Sequence, residues 1–109
     1  METKTYTPEE IKDASFEFFK GDDLATKVWS TKYALKDSFG NVYELTPDDM
    51  HRRLAREIGR IEKDYPNPLT ESELFDLFKD FKYIVPQGSP MTGIGNEYQV
   101  ASLSNCFVI

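Results

Sequence analysis

Apolar residues recur at helical spacing through the first three quarters of the chain. The first such segment begins at Thr7-Pro8, a pair typical of a helix start, and ends at Gly21. A second, short helix is predicted from Leu24 to Tyr33, and a turn at residues 37–41 follows it. The apolar side of this second helix consists of Leu24, Val28 and Trp29.

The third predicted helix begins at Thr46, with Pro47 in the first helical position. Leu45 and Met50 have the spacing of a hydrophobic staple, which fixes the angle at which the chain enters the helix. Its apolar positions are Met50, Leu54, Ile58 and Ile61, and its other faces carry Arg52, Arg53, Arg56, Arg60 and Lys63.

A fourth helix opens with the same signals. Thr70 and Glu73 have capping-box spacing, and Leu69 and Leu74 have staple spacing. The helix then presents a broad apolar stripe, formed by Leu74, Phe75, Leu77, Phe78 and Phe81.

The pattern changes after Phe81. Residues 83–85 (Tyr-Ile-Val) have the character of a short strand, and residues 87–96, with three glycines, that of a loop. Residues 102–109 (SLSNCFVI) have the pattern of a buried strand. A strand in this place has no predicted partner, so we expect the chain to be part of a larger domain.

Composition limits the function. The chain has 109 residues and a net charge of −6, which is enough for one modest core. This acidic balance argues against non-specific binding to nucleic acid, which requires a basic surface. The N-terminus lacks the apolar segment of a secretory signal, and no apolar run reaches the ~18 residues of a membrane span. We therefore expect a cytoplasmic protein that does not enter membranes.

Several residues of types that can form catalytic or binding sites are expected to have only structural roles. His51 has no nearby nucleophile or orienting carboxylate, so we expect a partly exposed helix histidine. The arginines of the third helix alternate with acidic residues, which indicates a solvated face. The single cysteine excludes an internal disulfide and a cysteine-rich zinc site. Core packing is expected for the helical aromatic residues Phe16, Phe18, Phe19, Trp29, Phe75, Phe78 and Phe81.

The loop and Cys106 each have two interpretations. The loop lacks the spacing of a dinucleotide-binding or P-loop motif, so it is either a surface loop or a segment whose glycines let its backbone approach a small ligand. Cys106 is either a small packed residue or a redox or nucleophilic thiol. Ser102, Ser104 and Asn105 are polar where a core strand would be apolar, which favours the second interpretation.

Three segments together resemble the N-terminal region of the large subunit of ribonucleotide reductase, most closely the adenosylcobalamin-dependent class II enzymes. The segments are Lys32–Ile58, Phe81–Gly95 and Ser102–Ile109, and they come in the family's order. The resemblance implies a mainly α fold: an all-helical domain at residues 1–82, then a loop and the first strand of an incomplete α/β barrel at residues 83–109.

The resemblance also implies the chemistry. Cys106 would be one of the two cysteines that reduce the 2′ position of a ribonucleotide, for DNA synthesis, and Ser89 and Asn105 would lie beside the substrate. The cofactor would be adenosylcobalamin, with no metal held by these residues themselves. The partners would be the ribonucleotide and the remainder of the barrel, without which the chain would be inactive. The alternative is an independent, acidic, helical interaction module whose apolar strand pairs with a partner sheet.

Overall fold

Helices make up nearly all the regular structure of residues 4–99. The computed structural model describes residues 4–99. The helices are α1 (Pro8–Phe18), α2 (Asp23–Val28), α3 (Pro47–Glu62), α4 (Glu71–Phe78) and α5 (Gly88–Gly93). A π-helical turn at Trp29–Tyr33 follows α2, and a 3-10 turn at Lys79–Phe81 follows α4. Over residues 4–99 the only β-type pairing is two isolated bridges, Tyr6–Val42 and Lys36–Val42, so the predicted mainly α character is confirmed there.

The predicted helix starts are confirmed. Thr7 and Thr70 each accept a hydrogen bond from the backbone N–H three residues later, at 3.2 and 3.1 Å. At the start of α3, the Asp49 carboxylate accepts a hydrogen bond from Leu45 N–H at 2.8 Å. These bonds satisfy N–H groups that a helix start would otherwise leave without a partner.

The second predicted helix is present, but the side that it buries differs from the predicted apolar side. Leu24, expected on the apolar side, is 72% exposed, whereas Trp29 is buried. Asp22 caps α2, and Thr26 is buried because its hydroxyl donates to the Asp22 carbonyl at 2.8 Å. The inner side of this six-residue helix is therefore formed by Thr26, Trp29 is buried in the π-helical turn that follows, and Leu24 faces solvent.

The core lies where α3 packs against α4 and the α2 region. Its buried apolar residues are Ile11, Trp29, Ala34, Met50, Leu54, Ala55, Leu74, Phe78 and Met91. Ile61, predicted to be apolar-facing, is 48% exposed. Gly59 lies against Glu71 at the start of α4, so Ile61 falls beyond the level at which α4 covers α3.

Two predictions for the segment after Phe81 are wrong. Residues 83–85 do not form a strand; instead Tyr83 and Ile84 N–H donate to the Leu77 carbonyl at 3.3 and 3.0 Å, which finishes the end of α4. The predicted loop at residues 87–96 contains α5, in which Pro90 stands near the start, where its fixed φ suits a helix. The predicted strand at residues 102–109 lies outside the described residues.

Candidate functional site

The candidate site centres on α5 and the residues that follow it. Ser89, predicted to lie beside the substrate, is the second residue of α5 and is partly buried. Its carbonyl accepts a hydrogen bond from the Thr92 hydroxyl at 3.3 Å. Asn105 and Cys106 lie outside the described residues, so the structure does not test whether they meet Ser89.

The start of α5 rests on the π-helical turn. A Cβ atom added at Gly88 would lie 2.9 Å from Cε1 of the Tyr33 ring, closer than real Cβ contacts. Glycine therefore favours this close approach of backbone and ring, because any other residue would displace the Tyr33 ring or α5. One turn later, Met91 is buried in the core, so α5 is attached to the helical body along its length.

The end of α5 is held by Arg53, where the sequence-based expectation is wrong. Arg53 was expected on a solvated face, but its side chain is 1% exposed. Its Nε donates to Glu44 Oε2 at 2.9 Å, and its Nη2 donates to Glu44 Oε1 at 3.3 Å. The two terminal nitrogens also donate to the carbonyls of Ile94 and Met91.

Glu44 connects this ion pair to a third part of the chain. It is itself buried, and its Oε1 accepts a hydrogen bond from Leu35 N–H at 2.8 Å. The Glu44 carboxylate compensates the charge of the Arg53 guanidinium, as a buried cation requires. One signal in the sequence could have indicated this burial: Arg53 stands three residues after Met50 and directly before Leu54, on the inner side of the α3 helical wheel.

His51 is also buried, contrary to the expected partial exposure. The residue is 0% exposed, and both ring nitrogens are without a hydrogen-bond partner. Its ring is parallel to that of Phe78 at 6.2 Å and edge-on to that of Phe81 at 4.7 Å. Burial lowers its pKa to about 4, although Asp80 acts in the opposite direction. His51 therefore packs as a neutral aromatic ring and is not placed to act as a general base.

The remaining predictions for the helices are mostly confirmed. Trp29 and Phe78 are buried, and four of the other aromatic residues are partly buried: Phe18, Phe19, Phe75 and Phe81. Phe16 is an exception: it is 42% exposed, and its ring lies close to Gly21. The arginines other than Arg53 do lie on a solvated face: Arg52 is over the Phe75 ring at 4.3 Å, and Arg60 pairs with Glu57.

Comparison with known families decides the identity of this helical body. The sequence profile of the family described as "Ribonucleotide reductase, all-alpha domain" matches residues 19–93, more than two thirds of the chain. The chain belongs to this ribonucleotide reductase family. The match ends at the last residue of α5, so the all-alpha domain of the reductase includes the helix that carries Ser89.

Other comparisons add no relatives to this reductase domain. No curated protein and no solved structure shows significant similarity to the chain. Within residues 4–99, no helix has the length and apolarity to cross a membrane. The same residues contain no group of three or more His, Cys, Asp or Glu side chains that could hold a metal ion.

Proposed function

We propose that this chain is the N-terminal part of the catalytic subunit of a ribonucleotide reductase, which reduces ribonucleotides to deoxyribonucleotides for DNA synthesis. The observation that carries the proposal is the match of residues 19–93 to the all-alpha domain of that enzyme. Support also comes from the order of the segments Lys32–Ile58, Phe81–Gly95 and Ser102–Ile109, which resembles their order in the large subunit. The resemblance to class II extends the proposal to that class.

Cys106 has a defined part in this reaction. Replacing the 2′-hydroxyl of a ribose by hydrogen needs two electrons, and a pair of thiols supplies them while forming a disulfide. The hydroxyl leaves as water, with the thiol protons balancing the equation. Cys106 would be one of the two thiols, and by the family resemblance the second would lie on another segment of the enzyme. A strand suits this role because it is more rigid than a loop.

The site would be divided between the helical domain and the barrel. The helical domain would extend through α5, past the boundary at residue 82 that the sequence predicts, and the barrel would start after it, with Ser89 and Asn105 beside the ribonucleotide. The packing of α5 on the helical body would give Ser89 a fixed position, because a residue on an anchored helix is better positioned than one on a free loop. The cytoplasmic location stays a prediction.

The residues of the helical body do not fit adenosylcobalamin themselves. Imidazole is the side chain that most often binds a metal centre, and the ring of His51, the chain's one histidine, is enclosed by Phe78 and Phe81. We therefore expect the cofactor to contact other segments of the enzyme.

The test compares two variants in the complete reductase polypeptide. Cys106→Ser removes the electron donor but nearly preserves its size, and Ser104→Ala, in the same predicted strand, serves as the control. We expect deoxynucleotide formation to fall to background in Cys106→Ser and to stay within about twofold of the unaltered enzyme in the control. An independent interaction module, or a cysteine that only packs, predicts equal activity of the two variants.

A further inference from the structure

Helix α5 cannot be stable by itself. It has six residues, well below the about 12 that an isolated helix needs to be even marginally populated in water. Its start has no side-chain cap and no acidic residue in the first turn. Its order must therefore come from contacts with the rest of the molecule.

The carbonyl groups at the end of α5 show where that order comes from. A helix leaves its last four carbonyls without partners inside the helix. Here the carbonyl of Pro90 accepts a hydrogen bond from Ile94 N–H at 3.1 Å. The carbonyl of Gly93 accepts from Asn96 N–H at 3.1 Å, and that of Thr92 accepts from the Asn96 side-chain amide at 3.2 Å. The fourth, that of Met91, accepts from Arg53, which also binds the carbonyl of Ile94 just beyond the helix.

Arg53 is itself fixed from the other side. The bidentate pairing with Glu44 orients the plane of the guanidinium, and Glu44 is in turn held by Leu35 N–H. Gly95 leaves the space for this arrangement: its φ is +76°, and an added Cβ would lie 3.0 Å from Arg53 Cγ. Arginine suits the position because its planar group donates in two directions at once, whereas the donors of lysine share one nitrogen.

We propose that Arg53 and Glu44 form a clamp that positions residues 88–96, and with them Ser89, toward the nucleotide substrate. Arg53 is then a positioning residue: it acts through the backbone of α5 and does not itself touch the substrate. The part of this inference that concerns substrate rests on the proposed function. The part that concerns the order of residues 88–96 does not.

The order of the segment is tested by amide hydrogen exchange of the full chain. The variant Arg53→Lys keeps the positive charge but removes the bridging geometry. The control Arg56→Lys makes the same change at an exposed position of the same helix. We expect Arg53→Lys to lose at least tenfold protection at the Met91, Ile94 and Asn96 amides, with less than threefold change in α4. The control should match the unaltered chain throughout.

A second variant keeps the test valid if Arg53→Lys does not fold. Gly95→Ala retains both Arg53 and Glu44 but presses a methyl group against Arg53 Cγ. It should lower the protection of the same amides while sparing α4. Unchanged protection of residues 88–96 in the folded variants, or an equal loss in every helix, would overturn the clamp.

The link to substrate is tested by kinetics of the complete reductase. Arg53→Lys should raise the KM for ribonucleotide about tenfold and change kcat less than threefold, because it misplaces a binding segment and leaves the reacting thiols intact. A loss in kcat alone would overturn the positioning of substrate. If the unaltered enzyme reduces no ribonucleotide, the proposed function fails, whereas the exchange result on the clamp is unaffected.

Discussion

Arg53 and His51 of α3 are both buried, the first as a charged group with hydrogen-bond partners and the second as a neutral ring without them. Arg53 keeps its charge because Glu44 compensates it and four hydrogen bonds engage the guanidinium. His51 has neither a charge partner within hydrogen-bond distance nor a bond to either nitrogen, so it remains neutral between aromatic rings. The domain therefore buries Arg53 by giving its guanidinium hydrogen-bond and charge partners, and it buries His51 by keeping the ring uncharged.

The buried His51 makes stability depend on pH. Its pKa is about 4 in the folded chain and 6.5 in the unfolded chain, so below pH 6.5 the unfolded state binds the additional proton. We expect the free energy of unfolding to decrease by about 3 kcal/mol between pH 7 and pH 4 on this account. Burial raises the pKa of Asp48, so protonation of this carboxyl near the acidic end of the range increases the free energy of unfolding and offsets part of the His51 effect. Urea unfolding at a series of pH values measures the effect.

The control for this titration is His51→Leu, which fills a similar volume and has no ionisable group. Over the same pH range, the free energy of unfolding of His51→Leu should decrease by about 3 kcal/mol less than that of the unaltered chain. Parallel curves for the two proteins would contradict the assignment, and the acid sensitivity would then belong to other groups.

Among the helices, α4 owes its start to a local cap. Thr70 accepts from Glu73 N–H at 3.1 Å, and the Glu73 carboxylate accepts from Thr70 N–H at 3.3 Å. We expect Thr70→Ala to lower the free energy of unfolding by about 1 kcal/mol. Ser72→Ala, at an exposed position two residues later, should change it by less than about 0.5 kcal/mol. Equal effects of the two substitutions in urea unfolding would show that the cap contributes nothing.

The elements that could be predicted from the sequence are those with local signals. The Thr7 and Thr70 hydroxyls accept from the N–H three positions later, and Thr46 N–H donates to the Asp49 carboxylate three positions later, so the sequence contains both partners of each cap. Burial of Arg53 depends on carbonyls 38 and 41 residues later, and no short pattern encodes such a contact. For the same reason α5 was predicted as a loop: its composition is loop-like, and its order comes from Arg53 and Tyr33.

The candidate site could be predicted only in part. Its residues Ser89, Asn105 and Cys106 follow from a resemblance of whole segments, because single residues of these types have no distinctive spacing. The structure places Ser89 on α5, and the roles of all three stay predictions. The residues that hold the segment, Arg53 and Glu44, were missed because charged residues on a helix surface are far more often solvated.

At the scale of the whole molecule, α5 belongs physically to the helical body. A chain ending at Lys82 would remove buried Met91 and the two carbonyls that Arg53 binds. We expect it to be less stable than a chain ending at Gln99 by about 3 kcal/mol or more, since hydrogen bonds to a buried charge contribute about 1.5–3 kcal/mol each. Urea unfolding followed by circular dichroism compares the two, and equal stability would mean that α5 only rests on the surface.

The proposed reaction predicts a change in one particular sulfur. The complete reductase, fully reduced, is allowed a single turnover with ribonucleotide and without external reductant, and its cysteines are then alkylated and identified by mass spectrometry. We expect Cys106 to pass from a free thiol to a disulfide in proportion to the deoxynucleotide formed, about one disulfide per product. If deoxynucleotide forms and Cys106 is afterwards recovered entirely as the alkylated free thiol, the account is contradicted.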